Sequence, residues 1–175
     1  IFEGPKVQIE RVNIYGNTIT SETVIRSELL LDEGDPYSRV KLNQSVSELR
    51  ARNIFKSVKE KIIDGSQNDL KILEINVEEK PTGEIAAGAG VGTEGTSFSF
   101  TVQENNYLGK GLMVDATISA SEESLRGGLN FSDPNFNYSG NLVYAGLTST
   151  SNDKPDSGYE NTITNINLGT KFEQY

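Results

Sequence analysis

The sequence predicts two folds in succession: an α+β module of order β-α-α-β-β over residues 1–80, then antiparallel β-strands of an incomplete transmembrane β-barrel over 84–175, joined by a linker at 81–83. Three observations predict this. The texture changes at Pro81-Thr82: 4 of the 17 glycines precede it and 13 follow. Charge changes with it, from 12 Lys/Arg against 14 Asp/Glu before to 4 against 11 after. Helical periodicity also stops there, and short segments of period two take over.

In the first module, Val7, Ile9, Val12 and Ile14 outline a strand closed by a Gly16-Asn17 turn. Thr20 or Ser21 can cap a helix carrying Val24, Ile25 and Leu29 to about Leu31, where Gly34 and Pro36 stop it. A second helix is expected from about Ser38 to Asn53, with Leu42, Val46 and Leu49 on one buried stripe. Phe55–Ile63 reads as a strand, Asp64-Gly65-Ser66 as a turn, and Leu70, Ile72, Ile75 and Val77 as the third strand.

Composition narrows the chemistry. The 175 residues hold no cysteine and no histidine. That removes disulfides, thiolate or imidazole metal sites and Ser-His-Asp hydrolysis. No cofactor or metal is therefore expected, and an enzymatic role ranks last. A net charge of −9 and a pI near 4.6 argue against nucleic acid, which needs a basic stripe. Mean hydropathy is −0.44, and no apolar run approaches the ~18 residues of a spanning helix. Membrane strands need only ~9–11 alternating residues, so a bilayer stays open. The chain begins at Ile1 with neither initiator Met nor signal peptide, as an excised segment would.

Six alternating segments follow the linker. Ile85, Ala87, Ala89 and Val91 face opposite Gly88, Gly90 and Gly92. Phe98, Phe100 and Val102 are expected on an apolar face with Leu112, Val114 and Ile118 of the next segment, then Leu125, Leu129 and Phe131. The fifth segment, Leu142–Ser149, alternates poorly, and the sixth sets Ile166, Leu168 and Phe172 against Asn165, Asn167 and Lys171. One apolar and one polar face suit a barrel wall between lipid and a wet lumen, although a half-exposed soluble sheet gives the same pattern.

The connections favour the membrane. Gly92–Gly95 and Ser121–Ser124 are tight, whereas Asn105–Gly109 carries Tyr107 and Asp133–Tyr138 carries Phe136 and Tyr138. The aromatic turns fall on one rim, as an interfacial girdle requires. The longest connection, Thr150–Glu160, falls on the other. Arg126 is phased onto the polar face; at mid-depth in lipid it would cost about 2–4 kcal/mol.

Other motifs reduce to simpler readings. Gly90-Val91-Gly92-Thr93-Glu94-Gly95 spells G-x-G-x-x-G, but a dinucleotide site needs a helix next and Thr96–Phe100 reads as a strand. Asp153 and Asp156 lack the glycine-centred loop of a calcium site.

The element order, the Asn13-Ile14-Tyr15-Gly16-Asn17 turn, the Leu49…Ile54-Phe55 pair and the closing Val77-Glu78-Glu79-Lys80-Pro81 resemble a POTRA domain. Gly88–Glu94, Gln103-(x)2-Asn106-Tyr107-Leu108-Gly109-Lys110-Gly111 and Asp133-Pro134-Asn135-Phe136 look like the opening strands of BamA-type outer-membrane assembly factors. The resemblance covers about residues 6–173 and implies the last POTRA plus the first six of about 16 barrel strands. It implies a bacterial outer-membrane location with the POTRA domain in the periplasm. It also implies assembly and insertion of β-barrel proteins, with unfolded outer-membrane proteins, accessory lipoproteins and the lipid bilayer as partners. The weak first strand, Ile85, Ala86, Ala87, Gly88, Ala89, Gly90 and Val91, becomes a lateral seam that pairs with incoming strands. Glu33 becomes the residue on which a lipoprotein docks, and Tyr107, Phe136 and Tyr138 become membrane-interface aromatics. Open sheet edges would let the chain self-associate. The alternatives are a two-partner secretion or translocation pore of the same architecture and a soluble β-rich binding module.

Overall fold

A computed structural model describes residues 7–92 and 95–172. The Thr93-Glu94 tip of the first tight turn lies outside these described residues. The chain divides into two compact units at Pro81, with Leu108–Lys110 counted in the first.

The first unit contains β1 (Gln8–Tyr15), α1 (Glu22–Arg26), α2 (Arg39–Ala51), β2 (Phe55–Asp64) and β3 (Leu70–Glu79). Its sheet has the order β1-β3-β2, with β1 parallel and β2 antiparallel to β3. Two bulges explain the imperfect alternation. The register shifts between Ile9 and Arg11 and again between Phe55 and Ser57. Each inserted residue flips the phase, so Ile9 and Val12, and likewise Phe55 and Val58, are all buried despite odd spacing. They pack with Val24, Ile25, Leu42, Val46 and Leu49 from the helices into one core. Ser38 caps α2, its hydroxyl accepting from the Lys41 amide at 3.4 Å.

The first helix is shorter than its apolar spacing suggested, ending at Arg26 instead of near Leu31. The Glu28 and Leu29 amides reach back only three residues, to the Ile25 and Arg26 carbonyls, tightening the last turn. The Leu30 amide then leaves the helix pattern and donates to the Ser45 hydroxyl at 2.8 Å. Ser45, fully buried on α2, also donates to the Lys41 carbonyl. Leu31 is thereby turned into the core instead of onto another helical turn.

The second unit is one six-stranded antiparallel meander: β4 (Gly83–Gly92), β5 (Gly95–Tyr107), β6 (Leu112–Ser121), β7 (Ser124–Phe136), β8 (Asn141–Lys154) and β9 (Tyr159–Lys171). Every strand pairs with its sequence neighbour, and β4 and β9 are not paired with each other, so the sheet is open. No helix among the described residues is long and apolar enough to cross a membrane.

The expected long connection at Thr150–Glu160 is a correction. Strands β8 and β9 continue into it, leaving a short turn with a 3-10 segment at Pro155–Ser157. A ladder of polar side chains replaces apolar alternation there. The Thr162 hydroxyl donates to that of Ser151 at 3.2 Å, and the Asn152 amide donates to Asn161 at 2.9 Å.

Candidate functional site

Register fixes which side chains share a face. Directly opposed residues lie on the same side of a sheet, so the pairs Ala89–Phe98, Phe98–Ala120, Phe100–Ile118 and Val102–Ala116 build one surface. It continues through Val114–Phe131, Ala116–Leu129, Leu129–Leu147, Leu147–Ile166 and Ala145–Leu168. This surface is apolar yet uncovered. Phe98 is 62% exposed, Leu129 51% and Leu168 76%. Val114 and Leu112 are half-buried on the same side. An apolar face this broad, left open by its own chain, marks an interaction surface.

The opposite face is polar. The Thr101 and Thr117 hydroxyls share a hydrogen bond at 3.0 Å, and the Asn130 amide donates to Asp115 at 2.8 Å. Ser99, Ser119, Arg126 and Thr148 complete a hollow of about 370 Å³ there. Arg126 thus sits on the polar side, opposite Ser119 and Thr150 in register.

All ten residues of β4 are exposed. Its inner side is zipped to β5 from Gly83–Glu104 to Gly92–Gly95, and Gly88 lies so close to the Ser99 hydroxyl that an added Cβ would sit 2.9 Å from it. Among the described residues its outer side pairs with no other strand, so alternate backbone N–H and C=O groups point outward. Gly90 and Gly92 lie in β4 and Gly95 opens β5, so the element after the glycines is a strand and not a helix. Among the described residues no group of three or more His, Cys, Asp or Glu is placed to hold a metal ion.

Glu33 is about half exposed. One carboxylate oxygen accepts from the Val12 amide at 3.1 Å and lies 3.8 Å from the Arg26 guanidinium. Arg26 in turn donates to the Val12 carbonyl at 2.9 Å. Both outward backbone groups of Val12 are therefore occupied by side chains, and Glu33 closes part of the β1 edge. Tyr107 and Phe136 form the last residues of β5 and β7, and Tyr138 follows in the turn; all three are exposed.

One residue to which the sequence assigns no role of its own, Glu79 in the closing Val77–Pro81 stretch, organises the end of the first unit. The Glu79 carboxylate accepts from the Thr18 amide and hydroxyl at 3.0 and 2.6 Å, the Ile19 amide at 3.0 Å and the Thr20 amide at 2.6 Å. Partial burial pushes its pKa up, but the Thr18 and Thr20 hydrogen bonds outweigh that and pull it down to about 2. The same loop starts at Gly16, whose φ of 88° and contact with the Val77 carbonyl admit no side chain.

Comparison with known proteins places these features. Residues 7–80 match the POTRA family, described as a surface antigen variable number repeat. The class is therefore a POTRA domain continued by an open antiparallel sheet of barrel type. Outer membrane protein assembly factor BamA of Neorickettsia risticii is 41% identical over 107 residues, 59% of this chain and 14% of that protein. BamA of Haemophilus ducreyi lacking POTRA domains 1–3 superposes with a TM-score of 0.81 at 20% identity, over 93% of this chain and 31% of that one. CdiB of Escherichia coli superposes with a TM-score of 0.67 at 14% identity, over 95% of this chain and 33% of that one. Residues 7–80 are thus a POTRA domain, and the chain as a whole matches a fragment of the BamA-type outer-membrane assembly factors, spanning 14 to 20% of the length of the curated relatives it matches.

Proposed function

We infer that this chain takes part in assembling and inserting β-barrel proteins in the bacterial outer membrane, with its POTRA domain in the periplasm. The observation that carries the reading is the outer edge of β4, unpaired among the described residues and flush with an apolar face. An incoming strand would add main chain to main chain along Ile85–Val91 while its own apolar side chains continue the lipid-facing surface. Phe98, Phe100, Val102, Leu112, Val114 and Ile118 would form that lipid-facing surface beside the seam. Small side chains leave the edge unobstructed, and the free energy would come from strand pairing and burial in lipid. Catalytic groups have no part in this scheme. Glu33, about half exposed beside Arg26, would offer a carboxylate to an accessory lipoprotein.

A cysteine-free chain makes the test direct. Single cysteines replace Ala86, Ala87 or Ala89 and are oxidised against single cysteines in the terminal strand of a client barrel caught during insertion. Disulfides in one register, advancing together along both strands, are the expected result. Complete client assembly with no crosslink from any β4 position overturns the reading. The likeness to CdiB, at 14% identity, is one of fold alone.

A further inference from the structure

Two turns of the sheet are built alike, although their sequences share only an asparagine and a glycine, with an acid and an aromatic of like kind at two further positions. Glu104-x-Asn106-Tyr107-(x)3-Gly111 and Asp133-x-Asn135-Phe136-(x)3-Gly140 stand 29 residues apart and end β5 and β7. In each, the carboxylate accepts the asparagine's own amide, at 2.7 Å from Asn106 and 3.0 Å from Asn135. In each, the asparagine side-chain oxygen accepts the glycine amide five residues on, at 2.8 Å both times. Left-handed residues fall at matching offsets: Leu108, Gly109 and Gly111 in one, Asn137, Tyr138 and Gly140 in the other.

The register breaks at the same place too. It shifts between Glu104 and Tyr107, and between Asp133 and Phe136, so that Tyr107 opposes Leu112 and Phe136 opposes Asn141. Asn141 lies two residues from Val143, which opposes Asp133, so it belongs to the apolar side of β8. By simple alternation from Phe131 and Asp133, Phe136 would fall on the polar side. The bulge turns it back, as bulges beside functional positions do. Leu112 likewise shares the side of Val114, so Tyr107 is re-aimed in the same sense.

Tyr138 adds an independent sign. It holds φ 57° where the sister turn has Gly109. A bulky aromatic in the left-handed region is strained, and such strain marks positions kept for what the side chain does. Tyr138 is 60% exposed, so packing within the chain does not account for it.

We propose that the Asp133–Asn135–Gly140 bulge is a built anchor that aims Phe136, with Tyr138 beside it, from the rim of the apolar face into the headgroup region of a phospholipid bilayer. Asp133 and Asn135 are positioning residues: they set the bulge, and the aromatics touch the lipid. The proposal rests on the membrane reading above, and one experiment separates the two.

The chain contains no tryptophan, so a single Trp reports alone. Phe136→Trp and Phe98→Trp are reconstituted in phosphatidylethanolamine–phosphatidylglycerol vesicles carrying nitroxide lipids labelled near the headgroup or deep in the acyl chain. Shallow quenching should exceed deep quenching at least twofold for Phe136→Trp, and the order should reverse for Phe98→Trp. Adding Asn135→Ala should halve or abolish the shallow quenching at 136 and leave Phe98→Trp unchanged. Asn135→Asp, which keeps the acceptor for Gly140, should restore it. An unquenched Phe136→Trp beside a quenched Phe98→Trp overturns the anchor alone, as does an Asn135→Ala that moves nothing. Quenching at neither position overturns the membrane reading and the anchor with it.

Discussion

The carboxylate of Glu79, the last residue of β3, holds the amide of Thr20 at 2.6 Å across 59 residues of sequence. With Thr18 and Ile19 it closes a nest of donors around one negative charge. This sets a pH signature. The folded pKa lies near 2, below the usual glutamate value of 4.5. The unfolded chain therefore binds the proton more readily, and the stabilisation is complete above about pH 4.5 and is lost as pH falls toward 2. Glu79→Gln should cost about 2 kcal/mol at pH 7, given several charge-assisted bonds and a partly solvated site. Urea midpoints of wild type and variant should converge as pH falls through that window. A gap that stays constant down to pH 2.5 would contradict the linkage.

Ser45 joins α2 to the segment after α1, accepting from the Leu30 amide and donating to the Lys41 carbonyl. Ser45→Ala removes the buried hydroxyl that accepts from this part-buried amide. The expected destabilisation of the POTRA unit is about 1–3 kcal/mol. Ser45→Thr, which keeps the hydroxyl but adds a methyl to a fully buried site, should lose stability through crowding instead. Hydrogen exchange at Leu30 distinguishes them: fast in Ser45→Ala, protected in Ser45→Thr.

Tyr144 on β8 lies directly across from Gly169 on β9, and its ring occupies the space a Cβ at 169 would need. Gly169→Ala should therefore destabilise the sheet by about 1 kcal/mol, because the half-exposed ring can swing only part of the way clear. In a Tyr144→Ala background the sign should reverse, since alanine in a strand is better than glycine by about 0.5–1 kcal/mol. Denaturant midpoints of the four proteins in detergent check both halves. Additive effects would show that the ring and the glycine are independent.

Among the described residues, both edges of the six-stranded sheet are unpaired. Edge-to-edge association in water is the expected outcome. Light scattering should give a mass above the 19.1 kDa monomer, with binding of an apolar dye. A clean monomer that binds no dye would contradict it.

Much of this fold was legible because β-sheet faces follow a period of two. The Phe98–Val102 and Leu112–Ile118 phases read directly from sequence and meet across the β5–β6 register. Elsewhere the period was interrupted by features that adjacent residues do not announce. The β1 and β2 bulges shift phase by one residue. α1 stops early: the Glu28 and Leu29 amides tighten to three-residue bonds, and the Leu30 amide then goes to Ser45, 15 positions away. The polar ladder of Ser151, Asn152, Asn161 and Thr162 forms strand where apolar alternation is missing. Glu79 looked like any charge at a strand end, since its partners lie about 60 residues earlier. The twin turns did carry a signal, an acid, an asparagine, an aromatic and a glycine at fixed offsets. It emerges only when Glu104–Gly111 is set beside Asp133–Gly140.

The central claim is that lipid is the neighbour of the Phe98 and Phe100 side of β5. Nitroxide labels placed one at a time at residues 97–102 of the membrane-reconstituted chain test it most directly, by collision with oxygen and with a water-soluble nickel chelate. Positions 98, 100 and 102 should favour oxygen and positions 97, 99 and 101 the chelate, alternating with period two. Low accessibility to both reagents at 98 and 100 would mean that protein covers this face, and the membrane assignment would be wrong.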